Sequence, residues 1–213
     1  MKFTTTLISL AIATSAAIAP TAFAQSADLS IAGRIFPGAC IVDLGNGGVA
    51  DLGNIRKDSL NVDQPTLLEP VMLPASVSCE SEVRFALQAI DNAADSSVSP
   101  SHYGIGMTPA DEKIGRMTVG FADTLVDGGP AFRTRSSNDG QSWTSASFDT
   151  LYNFDRADFI GFTKSSGGIV GPDPIKDLTA NLRVIARIEP ASTLTISDDV
   201  PINGSVTINL HYL

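Results

Sequence analysis

The sequence predicts an all-β domain, read as one β-sandwich of about eight to ten short strands. Three observations predict it. Apolar residues recur at every second position in several short runs, which is the period of a strand with one buried face. The 213 residues include 18 Gly and 12 Pro, the composition of many tight turns. No long block of helix-forming residues interrupts the pattern. The clearest run closes the chain: Val206, Ile208, Leu210 and Tyr212 alternate with Thr207, Asn209 and His211, and Gly204 opens the stretch. A strand at the end of a chain needs neighbours on both edges, or it leaves a row of unpaired backbone donors and acceptors. Which segment supplies them is the functional question.

Residues 1–24 read as an export signal. Met1-Lys2 is a short positive start, residues 7–19 are an apolar run, and Ala22-Phe23-Ala24 before Gln25 fits a small-x-small cleavage site. The run is too short to span a bilayer, and Pro20 ends it. The expected mature chain, residues 25–213, keeps 13 of the 14 Lys+Arg against 23 Asp+Glu, a net charge of −10. No contiguous basic cluster is present, so no nucleic-acid partner is expected, and the acidity reads as a solubility feature. No later segment is apolar enough to cross a membrane.

Two cysteines remain, Cys40 and Cys79. In an exported protein an even count reads as a disulfide. Before the first cysteine, Ala27, Leu29, Ile31, Gly33 and Ile35 share one face of an alternating arm, and Pro37-Gly38 breaks it. Strand character resumes at Ile41 and Val42, turns at Gly45-Asn46-Gly47-Gly48, and is expected again over residues 49–55. Residues 56–66 are polar and loop-like. Strands are expected over 71–79 and 83–90, where Val83, Phe85, Leu87 and Ala89 alternate. Residues 103–107 and 117–121 read as strands on either side of a turn at 109–113. Asn138-Asp139-Gly140 is a hairpin signal. It also resembles a single, shortened Asp-box, the hairpin repeat of sialidases. Residues 178–188 form the longest alternating run, with Arg183 and Arg187 on its polar face. Residues 194–196 read as a short strand.

Motifs that would carry enzyme chemistry are missing. There is no G-x-S-x-G, H-E-x-x-H, P-loop or dinucleotide-binding glycine pattern. His102 falls in a loop and His211 on the polar face of the last strand. Cys40, Cys79, His102 and His211 lack the spacing of a metal site, so no metal or other cofactor is expected, and the chain is not read as an enzyme.

In order along the chain stand the export signal, the arm Leu29-x-Ile31-x-Gly33-x-Ile35, two cysteines about 40 residues apart, and Val49-x-Asp51-Leu52-Gly53-x-Ile55 between them. The C-terminal strand then has Tyr212 as its penultimate residue. This combination resembles the bacterial chaperone–usher pilus subunits. Residues 27–40, 78–92 and 204–213 are more closely similar to a little-characterised group of fimbrial-type periplasmic proteins. The resemblance implies an immunoglobulin-like sandwich, incomplete by one strand, with extra hairpins around 95–175. It divides the chain into a signal (1–24), an N-terminal donor arm (25–36) and the sandwich (37–213).

The resemblance implies a function as well. The subunit would be exported, held in the periplasm by a chaperone that lends a strand, and passed to an outer-membrane usher. It would then be built into an adhesive fimbria on the cell surface by the arm of a neighbouring pilus subunit, a form of β-strand addition. Leu29, Ile31 and Ile35 would be the plugs, with Ala27 and Gly33 on the same face. Val206, Ile208, Leu210 and Tyr212, after Gly204, would form the receiving edge. Only eight mature residues precede Gly33, a shorter arm than in the common major pilins. The alternative is a self-contained periplasmic or secreted β-sandwich that binds a carbohydrate or a protein, its terminal strands paired within its own sheet.

Overall fold

The computed structural model describes residues 39–149, 151–168 and 171–213. The export segment and the arm residues Ala27, Leu29, Ile31, Gly33 and Ile35 lie outside the described residues, as does the division between arm and sandwich. Among the described residues twelve strands are formed: β1 (Cys40–Leu44), β2 (Thr66–Leu67), β3 (Val71–Val83), β4 (Phe85–Asp91), β5 (Tyr103–Gly104), β6 (Gly115–Val126), β7 (Gly129–Pro130), β8 (Phe132–Ser136), β9 (Leu151–Asn153), β10 (Phe159–Thr163), β11 (Ile175–Ile188) and β12 (Val206–Tyr212). They make two antiparallel sheets. The first runs β1-β3-β11-β6-β5, with β2 on β11 and β7 and β9 on β6; the second runs β12-β4-β10-β8. The architecture is the expected β-sandwich.

Period-two alternation builds the long strands. Leu73, Ala75, Val77 and Cys79 of β3 point inward, and so do Leu178, Ala180, Leu182, Val184, Ala186 and Ile188 of β11. Phe85, Leu87 and Ala89 of β4 meet them from the second sheet. Phe121 sits at the aromatic centre, edge-on to Phe154 at 5.0 Å and to Tyr152 at 6.3 Å between ring centroids. Each large side chain buried here contributes about 1.5–3 kcal/mol. Cys40 and Cys79 are directly opposite in the β1–β3 register and form a disulfide.

The turn at 138–140 forms as the Asp-Gly signal predicts. Asp139 and Gly140 both take positive φ, 55° and 81°, as the hairpin requires. The returning strand is irregular, and Thr144 and Ser147 donate back to the carbonyls of Arg135 and Arg133.

Three expectations are corrected, and one strand, β10, is unforeseen. Among the described residues the strand count reaches twelve because β2 adds a short ribbon to β11, and β7 and β9 add ribbons to β6. β10 carries no alternation, since all five of its residues are buried. Its outer face is covered: a side chain on Gly161 would collide with Pro172 and meet Trp143. Residues 49–55 are not a strand. Gly53 has φ +67° and donates its amide to Asp51 Oδ1 at 2.8 Å, a local turn that breaks extended pairing. Residues 194–196 are not a strand either. Thr195 is held by a side chain instead, its amide and hydroxyl donating to the Glu112 carboxylate at 2.6 and 2.8 Å.

Candidate functional site

The two sheets differ in width, and the difference creates the site. β12 is the outermost strand of the second sheet, pairing β4 over all seven of its residues. Beyond it the first sheet continues, and a groove of about 1770 Å³ runs over its inner face. The floor is Leu73 of β3, Met117 and Val119 of β6, and Leu182, Val184 and Ala186 of β11. One wall is residues 48–58; the other is residues 196–206 together with Ile208 of β12.

Half-burial marks the seam. Val206, Ile208 and Leu210 point inward from β12 yet are only partly buried. Leu87 and Ala89, inward on the neighbouring strand β4, are fully buried. Across the groove Val42, Leu44, Ala50, Leu52 and Ile55 are likewise half-buried. A row of apolar side chains from both borders of the sandwich therefore meets over the groove without the contacts a closed core would give.

Polar ties hold the walls. The Cys40 amide donates to the Tyr212 hydroxyl at 2.8 Å, linking the start of β1 to the end of β12. Lys57 Nζ donates to the Ile196 carbonyl at 2.8 Å, joining the two walls. The Ala191 and Ser192 amides donate to the carbonyls of Asn61 and Val62. Glu112 pins the second wall through the Thr195 amide, the Thr195 hydroxyl and the Thr108 hydroxyl. These bonds hold its carboxyl below the ordinary carboxylate value.

The sequence-predicted residues thus fall as follows. Val206, Ile208 and Leu210 border the groove on β12. Tyr212 is anchored to Cys40. Gly204 precedes β12 and packs so closely on Met117 that a Cβ would lie 2.8 Å from its Cε. The disulfide fastens β1 beside the first wall. The wall at 48–58 and residues 196–203 of the other wall were not foreseen as site residues. Their signal was the Asp51-Leu52-Gly53 turn, which forces the chain out of the sheet.

The two histidines do other work. His102 Nδ1 lies 2.8 Å from Ser99 Oγ and 3.1 Å from Ser101 Oγ within one tight turn, and burial lowers its pKa. His211 stacks on Phe159 and meets Gln88 Oε1 on the outer face of the second sheet. Among the described residues no helix is long and apolar enough to cross a membrane.

Comparison with known proteins gives two similarities. A family model described as a protein of unknown function (DUF1120) matches residues 29–104, a span that holds both cysteines. The chain is also similar to Protein GltF of Escherichia coli (strain K12), 22% identical over 249 aligned positions that cover 100% of this chain and 98% of the relative. Neither description speaks of a pilus, a chaperone or an usher.

Proposed function

We propose that this chain is a structural subunit of an adhesive surface fimbria, assembled by donor-strand exchange. One observation carries the reading: an apolar groove lies beside β12, whose inward residues Val206, Ile208 and Leu210 are only half-buried. An extended segment laid along β12 would add a strand to the second sheet. Its backbone would pair with β12, and its alternate side chains would enter the groove. The arm at 27–35 of a neighbouring subunit has the matching period, with Leu29, Ile31 and Ile35 as plugs. Burying three such aliphatic side chains contributes about 5–8 kcal/mol before ordering costs. A periplasmic chaperone would fill the same groove before an outer-membrane usher passes the subunit on.

The groove favours a chain over a small ligand. Its volume of about 1770 Å³ exceeds the roughly 300–1,000 Å³ of ordinary small-molecule pockets. The test is deletion of residues 25–35. The shortened subunit should still be captured by a chaperone and should fail to polymerise. Normal fibres from the deletion would refute the proposal, and a stable monomer expressed alone would favour the self-contained binding protein.

A further inference from the structure

The outer face of the first sheet carries a separated pattern of charge. Arg183 and Arg187 project from it on β11. Arg116 of β6 is directly opposite Arg187, while Arg183 is opposite Met72 of β3. Like charges facing each other on adjacent strands are destabilising unless something compensates them. Elsewhere the arginines are satisfied: Arg56, Arg133, Arg135 and Arg156 each pair with a carboxylate, and Arg84 donates to the Pro172 carbonyl. Among the described residues Arg116, Arg183 and Arg187 have no such partner.

The other end of the same face is acidic. Asp177 of β11 is opposite Ser78, Asp43 of β1 is opposite Ser76, and Glu80 continues the outward row of β3. Asp123 joins them, accepting a hydrogen bond from Asn181. Lys176 and Lys164 are cations at that end, and Lys164 pairs with Glu82 and Asp127. Exposed apolar side chains are scattered over the face: Ile41 (71% exposed), Leu67 (68%) and Met72 (44%). Arginine and methionine with apolar neighbours are enriched where protein surfaces meet.

We propose that this face is a self-association surface, on which a second copy of the chain packs about a two-fold axis near Asn181. Rotation about that point lays Arg183 of one copy over the level of Asp43 of the other, and Arg187 over the level of Glu80. The contact is isologous, so every ion pair forms twice. Sheet faces pack well in this manner, their strands nearly aligned. The occupant is a second copy because one face presents both halves of the charge pattern. The inference is independent of strand exchange, which uses the opposite side of this sheet. It applies equally to a fibre subunit and to a self-contained domain.

Sedimentation velocity of the full exported chain, at low and high salt, is the test. The account expects a concentration-dependent dimer that salt weakens. Arg183→Glu with Arg187→Glu should reduce association by about tenfold or more, and adding Asp43→Arg with Glu80→Arg to the same chain should restore it. Independently, Asn181→Cys should be joined between copies by a bis-maleimide cross-linker about 10 Å long, the spacing of packed sheet faces. A chain that is monomeric at every concentration overturns the proposal. So does association that ignores the reversal, or the absence of the Asn181→Cys cross-link.

Discussion

Removing the disulfide is the perturbation whose size the structure predicts best. Cys40 and Cys79 are 39 residues apart in sequence and directly opposite in register. β1 has β3 as its partner strand in the first sheet, so the bridge clamps an edge strand to the body of that sheet. Loop-closure entropy for that separation gives about 4 kcal/mol at 25 °C. In a domain of this size each kcal/mol moves the melting temperature by about 2–4 °C, so Cys40→Ala with Cys79→Ala should melt about 8–16 °C lower. Replacing both cysteines avoids a stray thiol and isolates the cross-link. The assay is thermal unfolding followed by circular dichroism, with equilibrium denaturation to check that the transition stays cooperative. The Cys40–Tyr212 tie uses the backbone amide and survives both replacements, so the loss reports the bridge itself. Melting within about 3 °C of the oxidised protein would refute the reasoning. It would mean that β1 is fastened by its own pairing and that the bridge constrains little.

Two further expectations test local readings. Gly53→Ala meets no atom within 4 Å, so its cost is backbone strain at φ +67°, about 1–2 kcal/mol of unfolding free energy by equilibrium denaturation; Gly53→Asn should recover part of it. Asp127 is partly buried, which opposes its charge. Lys164 at 2.8 Å and the amides of Asp177 and Lys176 outweigh that and hold its carboxyl below its ordinary value of 3.8. Its folded pKa is the lower one, so its stabilisation is present above the ordinary value and is lost as pH falls through the folded value. Asp127→Asn should therefore be less stable than the native chain at neutral pH, and the gap should close in acid. A gap that widens in acid would contradict the assignment.

Much of the sandwich was legible because its long strands bury one face each. β3, β4, β11 and β12 announce themselves by alternation, and their inward sets are the ones the pattern names. β10 was not legible, because Trp143 and Pro172 cover its outer side and erase the polar positions that would have revealed a strand. Residues 49–55 misled in the opposite direction. Val49, Asp51, Gly53 and Ile55 alternate with their neighbours as a strand would, but Gly53 bends the backbone and turns the segment into a groove wall. The groove itself could not be seen in any one stretch. Its floor and walls come from residues 44 to 208, and only the sheet order brings them to one place. The arginine patch was hidden for the same reason, since Arg116 and Arg187 are 71 positions apart and meet only through the β6–β11 register.

Whether β12 accepts a strand from another molecule can be measured directly. A peptide of residues 25–36 is titrated into the subunit lacking its own arm, and hydrogen exchange is followed at the β12 amides. The account predicts saturable binding, a higher melting temperature and new protection at alternate amides of β12, all abolished by Ile31→Asp in the peptide. Amides of β12 that are already fully protected before the peptide is added, or a peptide that does not bind, would contradict it.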